Sequence, residues 1–251
     1  ADRVLQKRKR VGAKHGAASA AEGELLVVAG KLEMPMLGAE FSKRLEDQLP
    51  LYRAKLDQAW PGSGAKLTIS ADRTLAFSRD QKDAADLSPL IGLTNLTYLS
   101  LSVNPIGNAQ VLSNLTGLIN LELHGNSISN LDFMASLRQL SYADLAYNSI
   151  SNLAPIANLT GLTSLVLAGN PVSDYSSLYG MPNLVNLWLH DNTITNAQFL
   201  TQLPWLNHLN VDHNQITDLT FLSGFTNLTG LGLSRNPITD CYPAVRTSAP
   251  A

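Results

Sequence analysis

Apolar positions along the chain fall into one frame that repeats every 22 residues. The first copy reads Leu96-x-x-Leu99-x-Leu101-x-x-Asn104-x-Ile106, and the fifth reads Leu184-x-x-Leu187-x-Leu189-x-x-Asn192-x-Ile194. The asparagine recurs at Asn104, Asn126, Asn148, Asn170, Asn192, Asn214 and Asn236. Alternation of apolar and polar residues through the first half of each copy predicts a short strand with one buried face. The second half carries apolar residues near repeat positions 14, 17 and 20, such as Leu153, Ile156 and Leu159, and predicts a return segment. A single copy cannot bury this face alone. Stacked copies share one continuous core, so the pattern predicts a quasi-one-dimensional solenoid. Its strands would run parallel, and seven or eight of them at about 4.8 Å spacing make a sheet on the order of 35 Å long.

The asparagine marks the place where the chain leaves the strand. Backbone groups that turn inward there need partners, because a buried polar group without a hydrogen bond is costly. An asparagine side chain carries donors and an acceptor and can supply them. The seven asparagines are therefore assigned to structure and not to chemistry.

The region before the repeats reads differently. Residues 1–36 form a basic tail or linker with a cluster from Lys7 to Arg10. Residues 37–64 hold two trios at helical spacing, Phe41/Leu45/Leu49 and Tyr52/Leu56/Trp60, with Pro50 as an interruption between them. They predict a helical cap over the end of the core. Residues 65–95 read as a degenerate first repeat with two short strands, 66–70 and 74–78. The seven full repeats occupy 96–240, and 241–251 is a C-terminal tail. Cys241, the sole cysteine, falls at an inward repeat position and reads as a buried thiol, and it rules out a disulfide framework within the chain.

Charge is distributed unevenly. Residues 1–82 carry fifteen Lys and Arg against ten Asp and Glu, whereas residues 83–251 carry three against ten. An acidic repeat region is a poor partner for nucleic acid, whose phosphates call for basic groups. The longest apolar run, Leu25 to Gly30, is too short to span a bilayer.

The copies Asn148 to Leu162 (NSISNLAPIANLTGL) and Asn214 to Leu228 (NQITDLTFLSGFTNL) resemble the 22-residue class of leucine-rich repeat found in bacterial internalins. A regulatory subunit of protein phosphatase-1 shares the class. The resemblance covers roughly residues 84–240. It implies an α/β solenoid, a right-handed leucine-rich-repeat horseshoe with a parallel concave β-sheet and an N-terminal helical cap. It also implies recognition of another macromolecule on the concave face, without catalysis and without a cofactor.

Side-chain alternation places repeat positions 3, 5, 7 and 8 on that face. They supply Tyr98, Tyr142, Asn186 and His208 at position 3, and Glu122, Asp144, Trp188 and Asn210 at position 5. They supply His124, His190 and Asp212 at position 7, and Tyr147, Asp191, His213 and Arg235 at position 8. Tyr142, Tyr147 and Trp188 are the expected anchors of a protein partner, since large aromatics dominate interface energetics. Glu122, Asp144, Asp191 and Asp212 would set its charge preference. The fourth repeat is bare (Ser164, Val166, Ala168, Gly169) and is expected to leave a shallow depression between Tyr142/Tyr147 and Trp188. His190, His208 and His213 suggest pH sensitivity, because histidine titrates near neutrality. The neighbouring His and Asp residues also resemble a metal or acid–base set, but no enclosing walls or nucleophile accompany them, and neither role is assigned.

The reading that follows is a monomeric protein-recognition module, secreted or on a bacterial surface. Two alternatives stand beside it: a cytoplasmic regulatory subunit that docks on an enzyme such as a phosphatase, and the substrate-recognition part of a larger enzyme.

Overall fold

The structure, a computed structural model, describes residues 38–61, 67–69, 75–78 and 85–239. The expected basic tail, Cys241 and the C-terminal tail lie outside the described residues. Helix α1 (Gly38–Ala59) opens the described chain. It is one continuous helix that contains Pro50, not two helices divided there. Pro50 is exposed, and the carbonyl that loses its helical partner four residues earlier can bind water instead. Leu56 and Trp60 are buried in the main core, and Leu49 and Tyr52 pack against it half-buried. The helix is also tied by hydrogen bonds. Arg53 donates to the Leu67 carbonyl at 2.9 Å from Nη2, and Lys55 Nζ donates to the Ile91 carbonyl at 2.5 Å.

Among the described residues nine strands follow, and each pairs with the next in chain order. They are β1 (Thr68–Ile69), β2 (Leu75–Ser78), β3 (Leu96–Ser100), β4 (Asn120–Glu122), β5 (Tyr142–Asp144), β6 (Ser164–Val166), β7 (Asn186–Trp188), β8 (His208–Asn210) and β9 (Gly230–Gly232). β1 pairs antiparallel with β2, and every later pairing is parallel. From β3 onward the register advances by one 22-residue repeat, so Tyr98 faces Asn120, then Tyr142, Ser164, Asn186, His208 and Gly230. Each strand from β2 to β8 is followed by a short 3-10 turn on the return path, such as Asp132–Ser136 or Thr220–Gly224.

One core runs the length of the stack. The inward leucines of the first six frames are buried, for example Leu165, Leu167 and Leu187, and so are Leu153, Ile156 and Leu159 of a return segment. Repeat position 16 adds Phe133 and Phe221, both buried inside the 3-10 turns. In the fourth repeat Ser177 holds that position and Tyr175 replaces the usual leucine two residues earlier. The Tyr175 ring stacks on Phe199 at 4.4 Å and supplies the missing volume. In the last described strand Leu231 is 42% exposed, whereas its counterpart Leu209 is 1% exposed, since no described strand stacks beyond it.

Two polar ladders close the loops. The first is the asparagine series. Asn148 Nδ2 donates to the carbonyls of Leu145 (3.0 Å), Ala146 (3.2 Å) and, one repeat earlier, Leu123 (2.9 Å). Its Oδ1 accepts from the Ile128 N–H at 3.0 Å. Asn126, Asn214 and Asn236 repeat the same set of contacts. The second ladder lies at repeat position 13. Asp86, Asn108, Asn130, Asn152, Asp174, Asn196 and Asp218 each accept the N–H two residues on and open the 3-10 turn. Short polar side chains bond their own backbone in this way, which is why they favour turns. The same bonds hold three carboxyls below the usual range. The backbone N–H and then the hydroxyl of Ser88 act on Asp86, those of Ser176 act on Asp174, and for Asp218 the Thr220 hydroxyl leads.

Candidate protein-binding face

The fifteen candidate residues all have side chains that are half-buried or exposed, and none is in the core. The strand pairing aligns them in rows. Tyr98, Tyr142, Asn186 and His208 share one row, and Glu122, Asp144, Trp188 and Asn210 share another. Tyr98 donates from its hydroxyl to Glu122 Oε2 at 3.0 Å, and Asn186 Oδ1 meets His208 Nδ1 at 3.0 Å. Trp188, expected to be exposed, is half-buried. Burial, followed by the charges of Asp144 and Glu122, pushes the Tyr142 hydroxyl up to about 12.

Positions 7 and 8 are consecutive, so simple strand alternation cannot send both outward. The backbone resolves this. The strands from β4 onward end at position 5, and position 8 takes a left-handed conformation in copy after copy. Val103, Tyr147, Asp191, His213 and Arg235 have φ between 52° and 58°, and Gly125 and Gly169 have 67° and 62°. Glycine suits that region, Asn, Asp and His enter it more readily than other residues, and a bulky side chain there is an outlier. Tyr147 is such an outlier.

The fourth-repeat depression expected from the sequence is filled. A Cβ on Gly169 would lie 2.5 Å from Tyr147 Cδ1, so the Tyr147 ring runs across the bare glycine. Its hydroxyl then donates to Asp191 Oδ2 at 2.5 Å, two repeats away. Asp191 Oδ1 is also hydrogen-bonded to His213 Nδ1. The ring meets His124 edge-on at 5.1 Å and His190 at 6.4 Å. Ala146 and Ala168, the two position-7 residues between these histidines, are buried and not open to a partner. The hydrogen bond from Tyr147, then that from His213, holds the Asp191 carboxyl below its ordinary range, and the Tyr147 hydroxyl is raised in return.

Next to this arch is an open cleft of about 210 Å³, lined by His190, Asp191, Asn210, Asp212, His213, Ser234 and Arg235. Six of those seven are candidates from the sequence. Asp212 Oδ1 accepts the Ser234 N–H at 2.6 Å, which fixes the carboxylate at the cleft edge. The Tyr98/Glu122/Tyr142/Asp144 group forms a separate patch toward the first repeats.

The fold and this face can be set against known proteins. A family model described as leucine rich repeats (2 copies) matches residues 182–224, which include β7 and β8. The solved structure of the internalin inlF from Listeria monocytogenes aligns with a TM-score of 0.58 at 33% identity, covering 66% of this chain and 56% of that one. Internalin C2 from the same organism aligns with a TM-score of 0.58 at 33% identity, covering 62% of this chain and 69% of its own. The chain belongs to the internalin-like leucine-rich-repeat family. A leucine-rich-repeat protein of Leptospira interrogans aligns with a TM-score of 0.55 at 27% identity, over 60% of this chain and 40% of that one. This chain thus spans about half the length of the inlF structure. A comparison with curated proteins finds no match.

In this internalin-like protein the open sheet face is polar, aromatic and acidic. Its four rows hold the carboxylates of Glu122, Asp144, Asp191 and Asp212 against one guanidinium, that of Arg235. Among the described residues no group of three or more His, Cys, Asp or Glu is arranged to hold a metal ion, and no helix is long and apolar enough to cross a membrane.

Proposed function

We propose that this chain is a non-enzymatic recognition module, secreted or displayed on a bacterial surface, that binds a protein partner through the open face of its sheet. One observation supports this above the others. Tyr98, Tyr142, Tyr147 and Trp188 share a single face with the four carboxylates, held by a rigid stack of strands. Large aromatics grouped on one accessible face are the residues that carry most of the energy of protein interfaces. Tyr142, Tyr147 and Trp188 act as anchors in this reading, and the carboxylates select partners of positive or neutral character.

The test is affinity capture from lysate and from host-surface fractions, with the native repeats beside a Tyr142→Ala/Trp188→Ala double variant. Proteins held by the native chain and lost by the variant support the reading. Equal capture by both would overturn it.

A further inference from the structure

We infer that the Tyr147 ring is a preformed seat for a guanidinium, so that the partner of this face docks an arginine side chain there. This rests on the proposed protein-binding function and names the chemistry of its central contact.

Position 8 requires a left-handed backbone, and the repeats on either side of Tyr147 meet it with Gly125 and Gly169. The repeat turn imposes this backbone in every copy, and at Tyr147 it places a large ring where the neighbouring copies have none. The hydroxyl is fixed on Asp191 at 2.5 Å, Asp191 is fixed by His213, and His124 and His190 bracket the ring. Yet Tyr147 remains 43% exposed, one of the most exposed large residues of the described chain. A ring immobilised before binding loses little entropy when a partner arrives.

The electrostatics choose the partner group. A phenol that donates to a carboxylate shifts electron density toward its ring, and a ring face attracts cations. Asp144 stands three residues before Tyr147 with Oδ1 held by the Ala146 N–H at 3.0 Å, and among the described residues no donor meets its other oxygen. Glu122 and Asp144, direct neighbours on β4 and β5, form a separate acidic patch of the same face, and their like charges favour a cationic partner. Guanidinium suits the ring better than ammonium, since its plane stacks on aromatic faces.

The experiment uses blocked hexa-arginine, hexalysine and hexaglutamate peptides with the whole chain, read by calorimetry and by aromatic NMR shifts. Hexa-arginine should bind more tightly than hexalysine, and hexaglutamate should not bind. Tyr147→Leu should weaken hexa-arginine about threefold, the scale of an exposed cation–π contact. The off-face control Tyr179→Leu should change it less than twofold, and Tyr147→Phe, which keeps the ring but loses the hydroxyl bond to Asp191, should fall between the two. In the native chain the largest shifts should fall on Tyr147, His124 and His190, a readout that needs no variant to fold. Absence of hexa-arginine binding, shifts centred elsewhere, or indifference to Tyr147→Leu would each overturn the arginine seat. If the Tyr142→Ala/Trp188→Ala variant still loses its captured proteins in that case, the protein-binding face stands and only the arginine assignment falls.

Discussion

Replacing Asn148 by alanine removes one rung of the asparagine ladder and leaves its partners in place. Two amide protons are shared by three carbonyls, those of Leu123, Leu145 and Ala146, and the side-chain oxygen satisfies the Ile128 N–H. Asn148 is 8% exposed, so water cannot simply take over. Leaving a buried donor or acceptor unmade costs roughly 1–3 kcal/mol, and carbonyls with a second lone pair in use lie at the low end. One orphaned N–H and two carbonyl bonds then amount to about 4 kcal/mol, or roughly 10 °C in Tm for a domain of this size. Asn236 makes a similar set of bonds in the last described repeat but is half-buried, so water can substitute, and Asn236→Ala should cost less than about 1.5 kcal/mol. The assay is urea unfolding followed by far-UV circular dichroism and tryptophan fluorescence together. Coincident transitions are needed, because a solenoid weakened at one repeat can unfold in halves. Equal losses for the two variants, or a loss below about 1 kcal/mol at Asn148, would refute the argument that the ladder stabilises by satisfying groups closed to water.

Two further outcomes follow from the geometry. Gly169→Ala forces a Cβ into the left-handed region, at roughly 1–2 kcal/mol, and pushes Tyr147 off its path to Asp191. Gly107→Ala, whose Cβ would meet nothing nearer than 4.0 Å, should leave thermal unfolding within about 0.5 kcal/mol of the native chain, and matching losses for both would contradict the Tyr147 placement. Tyr142 and Tyr175 have hydroxyls pushed up to about 12, chiefly by burial. A group whose folded value is raised contributes its stability below the unfolded value and loses it as pH rises, here from about 10 to about 12. Tyrosinate absorbance should therefore show a late-titrating fraction that includes Tyr142 and Tyr175, and a single step near 10 in the folded chain would exclude it.

The repeat was legible because one short period constrains many residues at once. A leucine that must face inward in every copy fixes the strand, its register and the stacking direction, and the asparagine marks where the turn begins. Features that do not alternate were harder to read. Phe133 and Phe221 sit at a repeat position that is apolar in most copies (Val111, Phe199) but carries Pro155 and Ser177 in two, so the signal there is weaker than that of the strand leucines. The Asp and Asn residues that open each 3-10 turn do recur every 22 residues, and their short polar side chains were the available signal. Pro50 misled because a helix-breaking residue on the solvent side can be tolerated where water accepts the freed carbonyl's bond.

The site was legible as a set of rows but not as a shape. Counting outward positions finds the fifteen residues and cannot say how far each side chain travels. Tyr147 travels furthest, across Gly169 to Asp191, and this follows from three residues read together: a left-handed tyrosine, a glycine one repeat on, and an acceptor two repeats on. Read singly, Gly169 signals a hollow. Read with Tyr147 it signals the opposite, since a glycine is what lets a neighbouring ring lie flat over the backbone. The bare repeat is thus the hinge of the face's organisation. It joins the arch to the cleft around Asp212 and His213, and it leaves Glu122 and Asp144 as a separate acidic patch on the other side. If the face binds protein as proposed, a partner that spans both must cross the Tyr147 ring, and substitutions at that ring should then cost more affinity than substitutions at the half-buried Trp188.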